Sequence, residues 1–154
     1  MTVSTSRYAK RARGEKFGDE SGDTAEAEIK AAGHLVASRS LVSDDARMLR
    51  REVKTFLGSP DDVLLLTGGT GVSSKDITIE TVRPFFQKEL GGFGELFQRL
   101  SYDEVGAAAM LGRATLGVVD GKLVMCLPGS TGAVRTALKA TANELPHAAY
   151  VART

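Results

Sequence analysis

At 154 residues, 42% hydrophobic and 25% charged, the chain has the size and composition of one globular domain, expected to span residues 1–154. A net charge of +1 excludes a global field drawing it to nucleic acid, and no apolar run reaches the roughly 20 residues of a membrane span. Cys126 is the only cysteine, which excludes an internal disulfide, and the N-terminus lacks a signal-peptide core, so a cytoplasmic location is expected.

Residues 1–6 alternate weakly and read as a short strand that begins abruptly at Met1. Residues 7–20 are polar and contain glycine, the pattern of a loop. Arg7, Lys10, Arg11, Arg13 and Lys16 make this loop basic, which suits either a solvated segment or a flap over an anion. Asp23 and Glu26 resemble a capping box and Gly33 a helix stop, bracketing a helix over residues 21–32. Residues 34–42 follow as a strand. Asp44 and Asp45 then stand where acids favour a helix start, and Ala46, Leu49, Val53, Phe56 and Leu57 form one apolar helical face.

Gly58, Ser59 and Pro60 end that helix, and residues 63–66 are continuously apolar, as in a strand buried on both faces. Val82, Phe85, Phe86 and Leu90 have helical spacing within residues 78–90, where Pro84 marks a kink or the true start. Gly91 and Gly92 are expected to stop this segment, with one or two short helices over 94–111. Residues 115–119 and 122–127 are strands joined by Asp120-Gly121, a type I′ hairpin signal. Val134, Ala137, Leu138 and Thr141 line a last helix, and Pro146 precedes a short apolar tail. This alternation predicts a single doubly wound α/β domain, mostly parallel, with one antiparallel hairpin strand and helices on both faces.

Ligands of such sheets sit beyond the carboxyl ends of the strands. Three polar turns lie there: Ser4 to Ser6; Thr67, Gly68, Gly69, Thr70 and Gly71; and Pro128, Gly129 and Ser130. The middle turn is the most informative, because three glycines in five residues let backbone N–H groups converge on an anion. It is not a P-loop. Ser74 replaces the second glycine of that motif and Asp76 its metal-binding hydroxyl, and Ser74 also breaks the dinucleotide fingerprint. A purely structural turn is the alternative.

Asp76, Thr78 and Glu80 follow as D-x-T-x-E. Asp76 either caps the next helix or joins a magnesium site, since Mg²⁺ takes one or two carboxylates plus substrate phosphates. Asp44 has the same two readings at another strand end. Arg113 either binds an anion or covers the surface. His34 and His147 lack metal-ligand spacing, Cys126 lies within an apolar strand, and Phe85, Phe86, Phe93 and Phe97 suit the core.

Together these motifs resemble the MoaB/MogA family of molybdenum-cofactor biosynthesis proteins over nearly the whole chain. The resemblance rests on TVSTS at 2–6, DESG at 19–22, AGH at 32–34 and VSDD at 42–45. It continues through the glycine turn with Asp76, Thr78 and Glu80, then GFGE at 92–95 and LPGS at 127–130. Gly112 stands where relatives usually have serine, removing one pterin contact, and Gly91 where proline is common.

The resemblance implies a doubly wound domain assembled as a trimer or hexamer, working with a metal-insertion partner. Active members transfer AMP from Mg-ATP to the terminal phosphate of molybdopterin and release pyrophosphate. It implies catalytic roles for Asp44 and Asp76, a phosphate or pterin site at residues 67–71 with Thr78 and Glu80, and a second ligand turn at Pro128, Gly129 and Ser130. Ser4, Ser6 and Arg113 are further contact candidates. The alternative within the family is a carrier or scaffold that binds molybdopterin without catalysis; outside it stands a general nucleotide-binding module. No histidine or cysteine is needed, because the attacking phosphate is already anionic.

Overall fold

The computed structural model describes all 154 residues. Its elements in chain order are β1 (Thr2–Val3), α1 (Thr5–Ala12), α2 (Glu20–Ala31), β2 (Leu41–Val42), α3 (Ala46–Leu57), β3 (Val63–Thr67) and α4 (Thr78–Val82). Then come β4 (Lys88–Glu89), α5 (Gly91–Val105), β5 (Thr115–Val119), β6 (Lys122–Leu127), α6 (Thr131–Thr141) and α7 (Leu145–Arg153). The sheet order is β2-β1-β3-β6-β5-β4. Strands β2, β1, β3 and β6 are parallel, and β5 runs against both β6 and β4, so the expected lone reversed strand is β5.

Alternation along β6 splits the core in two. Leu123, Met125 and Leu127 face a layer built from α2, α5, α6 and α7, with Phe93, Phe97, Val134 and Leu138 buried there. Val124 and Cys126 face the other layer, where Leu49, Val53 and Phe56 of α3 and Ile79 and Val82 of α4 pack. A strand sandwiched in this way must be apolar at every buried position, which is why 123–127 is a continuous apolar run after Lys122. Asp120 and Gly121 both have positive φ, 49° and 74°, as a type I′ turn demands.

Several elements differ from the sequence reading, each for a local reason. Residues 5–12 form a helix rather than a loop. Ser4 caps it by accepting from the Arg7 N–H, but none of its residues is buried, so no apolar stripe announces it. Helix α2 is capped by Asp19, which accepts from the Gly22 N–H; Asp23 and Glu26 instead pair with Arg39 at 2.8 and 2.9 Å. Gly33 does end α2, with φ at 84°.

Of residues 34–42, only Leu41 and Val42 pair with β1 as strand. The expected helix over 78–90 ends at Val82 and passes through a 3₁₀ turn at Arg83–Phe85, because Pro84 withholds a donor. Lys88 and Glu89 then pair with Val118 and Gly117 as β4. Gly91 and Gly92 open α5 rather than stopping a helix. Pro146 sits in the first turn of α7, where its missing N–H costs nothing, so the apolar tail is helical.

Candidate active site

Strands β1, β3 and β6 are parallel neighbours, so their carboxyl ends open on the same edge of the sheet. The chain leaves β1 and β3 toward opposite sides of the sheet, a switch point of the kind that leaves a crevice. An open cleft of about 1060 Å³ occupies that edge. It is lined by Ser4, Thr5, Ser6 and Arg7 from the start of α1, by Asp44, by Gly68, Gly69, Thr70 and Gly71, by Lys75 and Asp76, and by Gly112, Pro128 and Gly129. All three turns singled out in the sequence therefore reach one cavity.

Glycine is required at the heart of this loop. At Gly68 φ is +104°, and a Cβ would collide with the Val3 carbonyl oxygen. At Gly69 φ is +65°, and a Cβ would lie 2.6 Å from Asp44 Oδ1 and against Thr78 Oγ1. A Cβ at Gly71 would lie 2.8 Å from Asp76 Oδ2. Gly129 packs on Gly68, its own missing Cβ 3.2 Å from the Gly68 Cα, which closes the turn after β6 onto the loop after β3.

The loop's hydrogen bonds divide unequally between donors and acceptors. The Gly68 carbonyl accepts from Thr78 Oγ1 at 2.8 Å and the Gly69 carbonyl from the Thr78 N–H at 2.9 Å. The Thr70 and Gly71 carbonyls accept from Arg113 Nε and Nη2, both at 2.9 Å. The N–H groups of Gly69, Thr70, Gly71 and Val72 have no partner in the protein. Buried backbone donors are rarely left unpaired. Here those of half-buried Gly69, buried Thr70 and half-buried Gly71 stand at the cleft with every matching carbonyl occupied, the pattern of an anion-binding concavity, while Val72 ends the row exposed to solvent. The buried hydroxyls of Thr67 and Thr70 are also without partners.

The two acids are held so that each keeps one oxygen free. Asp44 Oδ2 accepts from the Thr5 N–H at 2.9 Å and the Thr5 hydroxyl at 2.8 Å, while Oδ1 has no donor. Asp45, not Asp44, caps α3, accepting from the Met48 N–H. Asp76 Oδ2 accepts from the Ser73 N–H at 3.0 Å and Oδ1 is free; Asp76 does not cap α4, whose start has no side-chain cap.

Other candidates have different surroundings. Thr78 is fully buried beneath the loop with its hydroxyl committed. Glu80 pairs with Arg113 at 2.5 Å, and that guanidinium holds its carboxyl below the usual carboxylate range. The Ser130 side chain caps α6 by accepting from the Ala133 N–H, and Ser4 and Ser6 approach each other to 3.3 Å. Lys75 lines the cleft and was not singled out from sequence, whereas Thr5 lies in the Ser4 to Ser6 turn and Arg7 in the basic segment read as a solvated loop or a flap over an anion. Lys75 had one signal, its place beside Asp76; the hold of Thr5 on Asp44 had none, because that partner is 39 residues away.

His147 pairs with Glu144 at the surface and His34 Nε2 meets the Ala142 carbonyl, and neither lines the cleft. Burial in β6 pushes the Cys126 thiol up to about 12. No group of three or more His, Cys, Asp or Glu side chains is placed to hold a metal by itself. No helix is long and apolar enough to cross a membrane.

Residues 1–147 match the family described as "Probable molybdopterin binding domain". The chain is 39% identical over 148 residues to a protein of Methanocaldococcus jannaschii named probable molybdopterin adenylyltransferase, covering 96% of this chain and 88% of that one. It is 42% identical over 137 residues to molybdenum cofactor biosynthesis protein B of Bacillus subtilis, covering 88% and 79%. Among solved structures, a molybdenum cofactor biosynthesis protein B superposes with a TM-score of 0.86 at 38% identity, covering 98% of this chain and 91% of that one. The tungsten cofactor synthesizing protein MoaB from Pyrococcus furiosus gives 0.85 at 39% identity, with coverage of 99% and 94%.

Proposed function

This chain belongs to the molybdopterin-binding domain family of the MoaB and MogA proteins, and from that premise we propose that it works in molybdenum-cofactor biosynthesis as a molybdopterin adenylyltransferase. The observation that carries this reading is the row of unpartnered N–H groups at Gly69, Thr70 and Gly71 in a cleft that also holds Asp44 and Asp76. The substrates are Mg-ATP and molybdopterin, whose terminal phosphate takes AMP with release of pyrophosphate.

The residues have chemistry suited to this. A terminal phosphate oxygen attacks the α-phosphorus as the bond to the leaving pyrophosphate breaks. The nucleophile is already an anion, so the protein's work is to hold two polyanions in line and offset the charge that develops. The loop amides receive phosphate oxygens, and Lys75 and Arg7 add cationic side chains at the same cleft. Asp44 and Asp76 fit Mg²⁺: each has one oxygen anchored and one free, and oxygen donors from one or two carboxylates plus phosphates are what that ion takes. Bound there, Mg²⁺ would neutralise phosphate charge. Thr5 keeps the free oxygen of Asp44 turned to the loop, and the Ser73 N–H steadies Asp76.

Pro128 and Gly129 complete the second side of the site, with Ser130 as a cap for α6 that positions this turn. Assembly into a trimer or hexamer is part of the proposal, supported by exposed Tyr102, Val105, Met110 and Leu111, the last of which lines the cleft. So are a cytoplasmic location and hand-over to a metal-insertion partner. The test is purified protein with Mg-ATP and molybdopterin, assayed for adenylylated pterin and pyrophosphate. Product above a protein-free control is expected. Tight pterin binding with no product and no ATP affinity would instead establish a carrier.

A further inference from the structure

We propose that Arg113 is a positioning residue that sets the direction of the loop amides, acting with Glu80 as a clamp behind the loop and without touching the ligand. The proposal rests on the phosphate-binding reading of the cleft.

In a trans peptide the C=O and the following N–H point in opposite directions. Pinning a carbonyl therefore aims the next N–H. Thr78 holds the carbonyls of Gly68 and Gly69, which aims the N–H groups of Gly69 and Thr70. Arg113 holds the carbonyls of Thr70 and Gly71, which aims the N–H groups of Gly71 and Val72. The four occupied carbonyls and the four vacant amides thus belong to the same four peptide planes. Half of the cradle is set by one helix start and half by one arginine.

Arginine suits this position because its planar fork donates along two parallel directions, here to two successive carbonyls. Its remaining terminal nitrogen, Nη1, is held by Glu80, two residues after Thr78 on α4. The same short helix therefore orients both halves of the clamp. Glycine at 69 and 71 makes such pinning necessary, since these residues let a peptide plane rotate at little cost. A rotated plane at 70–71 or 71–72 would present a carbonyl oxygen to an anion in place of a donor. Glu80 also compensates the guanidinium charge and leaves the fork directed at the backbone.

The test uses the full-length protein and inorganic pyrophosphate as the probe. Calorimetry gives its affinity, and ¹⁵N relaxation gives the order of the amides of residues 69–72, for wild type, Arg113→Ala, Arg113→Lys and Glu80→Gln, each with its melting temperature. The expected result is an affinity at least tenfold weaker in Arg113→Ala with a nearly unchanged melting temperature. The Gly71 and Val72 amides lose order while Gly69 and Thr70, held by Thr78, keep theirs. Arg113→Lys should recover part of the affinity, because an ammonium can satisfy one carbonyl without forking, and Glu80→Gln should fall between wild type and Arg113→Ala.

Wild-type affinity and wild-type order in Arg113→Ala would overturn the clamp. Uniform loosening of all four amides with a collapsed melting temperature in every variant would also overturn it, leaving Arg113 a fold residue. If wild type itself binds no pyrophosphate yet Arg113→Ala selectively disorders Gly71 and Val72, the clamp stands and the phosphate-binding function falls.

Discussion

Replacing Gly68 by alanine isolates the steric origin of the loop. Its φ of +104° is outside the range L-residues adopt readily, and the new Cβ would overlap the Val3 carbonyl oxygen. That oxygen belongs to the backbone of β1, so no side-chain rotation can relieve the contact. Nor can Gly68 swing away, since its N–H donates to the Leu127 carbonyl at 2.9 Å and its carbonyl accepts from Thr78. Left-handed strain contributes about 1–2 kcal/mol and forced backbone displacement about 1–3 kcal/mol. The sum, roughly 2–5 kcal/mol, is a large fraction of the ~5–15 kcal/mol that holds a typical domain together. For a chain of this size each kcal/mol lowers the melting temperature by about 2–4 °C, so a fall of roughly 4–20 °C is expected by calorimetry. Gly91→Ala is the control: its Cβ meets nothing within 4 Å and its φ is not in the left-handed range. It should be neutral or stabilising by about 0.4–1 kcal/mol through the unfolded chain. Equal melting temperatures for Gly68→Ala and Gly91→Ala would mean that the Val3 carbonyl and the positive φ do not restrict residue 68.

Asp76→Asn should abolish adenylyl transfer while leaving the circular dichroism spectrum and melting temperature near wild type, because asparagine can still accept from the Ser73 N–H; an active variant would remove Asp76 from the mechanism. Burial raises the Asp19 carboxyl, but the Thr2 hydroxyl, Arg39 and the Gly22 N–H outweigh it and leave it below its ordinary value. Asp19 therefore contributes stability above the unfolded carboxylate range that is lost as pH falls through the depressed value, and Asp19→Asn should flatten the acid limb of an unfolding series. Cys126, with its thiol pushed up to about 12, should resist a thiol reagent at pH 8 in the native protein and react at once in urea; its own contribution to stability should decline only as pH rises past the ordinary thiol value.

What could be read from the sequence follows how local each cause is. Strand β6 and the Asp120-Gly121 turn were legible because continuous burial and a positive-φ pair each demand particular residues in sequence. The glycine loop was legible for the same reason. Helix α1 was not, since it buries nothing and so carries no periodicity. The two-residue strand β4 is Lys88-Glu89, and only its pairing with Val118 and Gly117 makes it a strand. Arg113 stayed undecided between ligand contact and surface because its partners lie 42 and 43 residues away. The vacancy of four amides could not be read at all: it depends on where Thr78 and Arg113 send their donors, which only the folded chain fixes.

The most direct test is a crystal structure of the protein soaked with ATP and Mg²⁺. Phosphate oxygens are expected on the N–H groups of the loop from Gly69 to Val72, with Asp44 and Asp76 offering their free oxygens to the metal. Nucleotide density elsewhere, for instance on the exposed Arg47, Arg50, Arg51 and Lys54 of α3, with the loop amides vacant, would contradict it.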